Sequence, residues 1–135
     1  MLKTGCINPL LVEALAFCGH GDKVLLVDGN YPLAARSGEA KKIFLGVKPG
    51  LPTVPQVLEA LCSIANFEKV EAMVPDDGST PEALKEVRAV MQGMPLDTLD
   101  RFAFYDAACE PDVCVAISTG EDRTYACLLL TVGVV

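Results

Sequence analysis

A chain of 135 residues is about the length of one ordinary domain, large enough to bury a core and too short to divide in two, so one domain spanning 1–135 is expected. Its formal charge of −7, with eleven Lys and Arg scattered rather than gathered into a stripe, argues against a nucleic-acid partner. Apolar residues make up 51% of the chain, a surplus that points to subunit contacts; no run approaches the roughly 20 residues needed to cross a bilayer, and the N-terminus lacks a secretory layout.

Pro9 to Phe17 reads as a short apolar helix, with Leu11, Leu15 and Cys18 near one face, ended by the Gly19-His20-Gly21-Asp22 break. Lys23 to Val27 is a brief apolar run and reads as a buried strand. From Asp28 through Gly29-Asn30-Tyr31-Pro32 to Lys42, turn chemistry outweighs periodicity, giving a loop with room for function. Ile43 to Val47 reads as a second strand. The helix that follows opens at Pro55, with Val54, Val57, Leu58, Leu61 and Ala65 on one face.

Val70 to Val74 looks like a third strand, and Pro75-Asp76-Asp77-Gly78 a turn. Ser79 followed by Glu82 has capping-box spacing ahead of a helix that buries Leu84, Val87, Val90 and Met91. Arg101 to Ala108 reads as a short helix, and Val113 to Ser118 and Tyr125 to Val132 as strands rich in apolar and β-branched residues. Strands alternating with helices predict a three-layer α/β fold, a mostly parallel sheet flanked by helices.

Six cysteines, Cys6, Cys18, Cys62, Cys109, Cys114 and Cys127, sit at irregular spacings beside apolar residues, the pattern of reduced, packed thiols in a cytoplasmic protein. With one histidine and no Cys-x-x-Cys, neither a metal site nor a cofactor is expected. Glycine-rich phosphate cradles and the G-x-S-x-G elbow are also missing, which sets nucleotide and acyl-transfer chemistry aside.

Three residues draw attention by chemistry and position. His20, between two glycines, is the one side chain whose ordinary pKa lies near neutrality; it fits an acid/base role or a solvent-facing loop alike. Asp28 directly follows a strand, where open α/β sheets hold ligands, but an aspartate before Gly29 also forms turns. Tyr125 offers an apolar ring for a ligand's C–H face and a hydroxyl at its tip, or is an ordinary strand tyrosine. Arg101-Phe102-Ala103-Phe104-Tyr105 suits a ligand wall or plain packing.

Gly19-His20-Gly21-Asp22, Asp28 with Pro32, Arg101-Phe102-Ala103-Phe104-Tyr105-Asp106, Thr119-Gly120-Glu121 and Tyr125 together resemble, in order and spacing, the fucose mutarotase and ribose pyranase family, with the arginine block leaning to the fucose branch. The resemblance implies an isomerase acting on a free monosaccharide such as L-fucose, with His20 as acid/base and Asp28, Arg101, Tyr125, Ala126 and Cys127 binding the sugar. It also implies a ring-like homo-oligomer, commonly a decamer, with Tyr125 near a subunit boundary. The chain departs from that pattern at Cys127, where the family has asparagine: a thiol donates and accepts hydrogen bonds more poorly than an amide, which bears on the sugar recognised. A ribose-type pyranase and a non-catalytic sugar-binding module are the alternatives.

Overall fold

The structure is a computed structural model and describes residues 1–135. In chain order its elements are α1 (Pro9–Ala16), β1 (Lys23–Val27), β2 (Lys41–Phe44), α2 (Val54–Cys62), β3 (Phe67–Met73), α3 (Ala83–Met91), β4 (Leu96–Leu99), α4 (Arg101–Ala107), β5 (Val113–Ser118) and β6 (Leu128–Val132). All six strands join one sheet, in the order β2-β5-β1-β6-β3-β4. Only β6 runs against its neighbours: it is antiparallel to β1 and β3, while β1 and β2 pair in parallel with β5, and β3 with β4.

The apolar runs of the central strands are buried on both faces, as a covered, largely parallel sheet requires. Val24, Leu26, Leu128 and Leu130 point into the larger core with residues of α1, α2 and α3. Leu25, Val27 and Leu129 point the other way, into a smaller core closed by Phe104 and Ala108 and by Tyr31 and Leu33 of the loop after β1. The expected layered α/β fold is therefore present. In β5 the alternation breaks: Lys23 pairs with Val113 but Val24 with Val115, and this one-residue irregularity sends Val113 and Val115 to opposite cores.

The structure corrects several local expectations. The second strand lies at Lys41–Phe44, earlier than Ile43 to Val47, because the chain leaves the sheet once Leu45 N–H has donated to Ser118 C=O: Val47 N–H donates to Leu51 C=O in a tight turn. Ser79 does not cap α3; its own N–H donates to Asp77 Oδ1 at 2.9 Å, and the helix begins at Ala83 without a side-chain cap. The capping box belongs to α2, where Thr53 Oγ1 accepts from Gln56 N–H and Gln56 Oε1 accepts from Thr53 N–H. β4 is an edge strand with two exposed residues, too short and polar to signal itself. No helix is long and apolar enough to cross a membrane.

Candidate functional site

Because β6 runs opposite to β1 and β3, its first residues arrive at the edge where those two strands end. Three chain segments meet there: the exit of β1 with Asp28, the exit of β3 with Met73, and the approach to β6 with Thr124, Tyr125 and Cys127. The N-terminal half of α4 adds Arg101 and Tyr105, and together they line an open cavity of about 200 Å³. That is below the roughly 300–1,000 Å³ of drug-sized sites and suits one small polar ring. It also lies at the carboxyl ends of the parallel strands, where open α/β sheets receive ligands.

Asp28 is buried, 3% exposed, and held on both oxygens. Oδ1 accepts from Asn30 N–H at 2.9 Å; Oδ2 accepts from Ala126 N–H at 3.1 Å and from the Cys127 thiol at 3.3 Å. A carboxylate offers about four lone-pair positions, so one remains for a ligand hydroxyl. Burial, and next the charge of Asp28, push the Cys127 thiol well above its ordinary pKa, so at neutral pH it stays protonated and donates.

Tyr125 has φ +59°, a left-handed conformation uncommon for any residue but glycine. This bend, with Ala126 N–H turned to Asp28 instead of a neighbouring strand, is why β6 begins at Leu128 and not at Tyr125 as expected. Arg101, at the first position of α4 behind its Asp100 N-cap, donates from Nε to Tyr105 hydroxyl at 3.1 Å and lies over that ring at 5.5 Å. Tyr31 completes the aromatic wall, edge-on to Tyr105 at 5.4 Å. Its hydroxyl donates to Arg36 C=O, and burial raises its pKa, so it is a wall and not an acid.

Asp28, Arg101, Tyr125 and Cys127 thus face one cavity. Ala126 contributes its N–H to Asp28 while its methyl packs in the larger core. His20 is elsewhere. It precedes β1 and Asp28 follows it, and five strand residues at about 3.3 Å each put roughly 17 Å between the two ends. The imidazole is exposed and pairs with Glu68 at the start of β3, with Nε2 3.1 and 3.2 Å from the two carboxylate oxygens. Sequence reasoning missed Met73, Asn30 and Thr124, which carry no pattern of their own; Tyr105 was legible as the i+4 partner of Arg101.

A D-ribose pyranase of Bacillus subtilis (strain 168) is 31% identical over 134 residues, covering 99% of this chain and 98% of its own. A fucose mutarotase of Bos taurus is 31% identical over 138 residues, covering 95% and 89%. The structure of Bacillus subtilis RbsD complexed with D-ribose superimposes with a TM-score of 0.85 at 30% identity, over 100% of this chain and 99% of that one. With its match to the family's pattern running from residue 1 to residue 135, and with the sheet and the β1-exit cavity described above, the chain belongs to the RbsD / FucU transport protein family.

Proposed function

We propose that this chain is a monosaccharide mutarotase, an isomerase that interconverts the α and β anomers of L-fucose or a related free sugar. Its relatives include a D-ribose pyranase and a fucose mutarotase. The observation that carries the proposal is the cavity that gathers Asp28, Arg101, Tyr125 and Cys127, with a single free carboxylate position and an aromatic wall.

In this reading Asp28 accepts from a sugar hydroxyl, Arg101 donates to others, and the Tyr125 ring covers a C–H face. Mutarotation then needs one proton delivered to the ring oxygen while another leaves the anomeric hydroxyl. The C1–ring oxygen bond breaks, the open aldehyde turns about its C1–C2 bond, and the reverse transfers reclose the ring. A histidine suits both directions near neutrality, and positioned proton transfer typically contributes roughly 10²- to 10⁴-fold. Water can take the second proton.

His20 cannot reach its own chain's cavity from the other end of β1, so we assign this role to His20 of a neighbouring copy in a ring-like homo-oligomer, a decamer on the family pattern. Two exposed phenylalanines support that arrangement: Phe17, 83% exposed, sits three residues before His20, and Phe102, 70% exposed, follows Arg101. Head-to-tail association would cover both. Glu68 engages Nε2, which leaves Nδ1 to face the sugar. The six cysteines are all free, as suits a reducing compartment, and we read the protein as cytoplasmic, a single domain over 1–135 that works without metal or cofactor.

Magnetisation-exchange NMR on L-fucose and D-ribose tests the proposal. Protein-dependent exchange between anomers is expected, and His20→Ala should lower it by about 10²-fold or more. Exchange at the wild-type rate in that variant rejects the acid/base role. The ribose relative favours a second reading: if exchange appears only between pyranose and furanose forms of D-ribose, the chain is a pyranase. Binding without exchange on any sugar would leave a sugar-binding module.

A further inference from the structure

Glu121 lies outside the machinery described so far. It is 1% exposed, carries a charge, and sits between the two loops that form the cavity. Its Oε1 accepts from Arg123 N–H at 3.1 Å and from Arg123 Nε at 2.9 Å; its Oε2 accepts from Arg123 Nη2 at 2.9 Å and from Val54 N–H, the first residue of α2, at 3.3 Å. The fork of the guanidinium thus closes residues 121–123 into a rigid turn, and the unsatisfied N–H of a helix start anchors that turn to the body of the protein. Arg123 Nη1 reaches on to Glu86 of α3.

The main chain of the same residue ties down the other wall. Glu121 C=O accepts from Gly29 N–H at 2.8 Å, directly after Asp28, and Glu121 N–H donates to Thr119 Oγ1, which itself donates to Val27 C=O at 2.9 Å. A side chain at Gly29 would press on the carbonyls of Glu121 and Thr119 at 3.3 and 3.4 Å, so the two loops are in close backbone contact. One residue therefore joins the β1 exit, which carries Asp28, to the turn that delivers Tyr125. A tyrosine held at φ +59° persists only where its surroundings over-determine it, and the clamp two residues upstream supplies that constraint.

We propose that Glu121, through its clamp on Arg123 and Val54, is a positioning residue for the sugar cavity, setting the distance between Asp28 and the Tyr125–Cys127 segment. The inference rests on the mutarotase reading for its consequence in turnover, and on geometry alone for its consequence in the loop. A carboxylate on a sugar and a ring above it must be held to within a fraction of an ångström, and displacement of about 1 Å can cost on the order of 10²-fold.

The experiment compares wild type with Glu121→Gln, which keeps the shape and removes the charge, and Arg123→Lys, which keeps the charge and removes the fork; the second variant serves if the first does not fold. Glu86→Gln controls for the outer ion pair. Amide hydrogen exchange is measured well below each melting temperature. Protection of Ala126 N–H, the donor to Asp28, is expected to fall by about tenfold in the two clamp variants while the amides of β1 stay protected. In the same samples KM for whichever sugar the wild type turns over should rise by about tenfold, with kcat changing less. A purely structural role would lower melting temperature and leave KM unaltered. Wild-type protection at Ala126, or an unaltered KM beside lost protection, overturns the inference. Absence of exchange on every sugar by the wild type would instead count against the mutarotase reading, with Ala126 protection still deciding the role of Glu121.

Discussion

At the scale of single residues, the proposed sugar site turns on how many positions Asp28 has left. Its contacts with Asn30, Ala126 and Cys127 join residues up to 99 apart in the chain, and no local pattern announces such a pairing. What could be read was Asp28 itself, from its place after an apolar run, and Tyr125, from its chemistry. The bend at Tyr125 could not be read, because a left-handed tyrosine is set by the clamp around it and not by its own preference. Cys127 is a further consequence of the same geometry. Its thiol is 2% exposed and spends its one proton on Asp28, so it offers a sugar little more than a polarizable surface. An asparagine there would have an amide N–H left over after serving Asp28, and an oxygen to accept from a hydroxyl. Cys127→Asn is therefore expected to reorder L-fucose and D-ribose by several-fold in NMR-measured exchange, on the scale of one hydrogen bond, about 1 kcal/mol. Identical rankings in the two forms would remove Cys127 from the recognition problem.

At the scale of elements, the capping box belongs to α2 and not to α3, opposite to what the spacing of Ser79 and Glu82 suggested. Ser79 and Glu82 have the right separation, but Asp77 captures the Ser79 N–H first and makes a turn of the segment. Thr53 and Gln56 close the real box at the start of α2, beside the Val54 N–H that binds Glu121. Thr53→Ala should cost about 1 kcal/mol in denaturant unfolding, and Ser79→Ala close to nothing; equal losses would mean the box carries no energy of its own. The Glu121–Arg123 clamp adds a pH signature. Hydrogen bonds from the Arg123 side chain hold the Glu121 carboxyl below its ordinary value of 4.5, against the opposing effect of burial. The unfolded chain then takes up that proton more readily than the folded one, so the stabilisation is fully present above 4.5 and is lost as pH falls through the lower folded value. Wild type should lose stability below 4.5 more steeply than Glu121→Gln, which starts lower at neutral pH; parallel curves in a pH series of denaturant midpoints would contradict the assignment.

At the scale of the whole molecule, the alternation of strands and helices was enough to foresee a layered α/β fold, since a sheet covered on both faces writes itself as short apolar runs. The reversal of β6 was not foreseeable, because its run is as apolar as that of β1, and that reversal is what brings Tyr125 and Cys127 beside Asp28. The separation of His20 from Asp28 was legible in principle: one strand lies between them, so they stand at opposite edges of any sheet containing it. From this comes a test of how copies share the work. His20→Ala keeps an intact cavity without an acid, and Asp28→Asn keeps an intact imidazole beside a spoiled cavity; each alone should be nearly inactive. If each cavity takes its histidine from a neighbour, chains co-assembled at equal amounts regain competent sites wherever a His20→Ala cavity meets a His20 from an Asp28→Asn chain, about a quarter of the total for random head-to-tail assembly. If each chain served itself, no mixture would contain a competent site and the exchange would stay at the level of the separate variants.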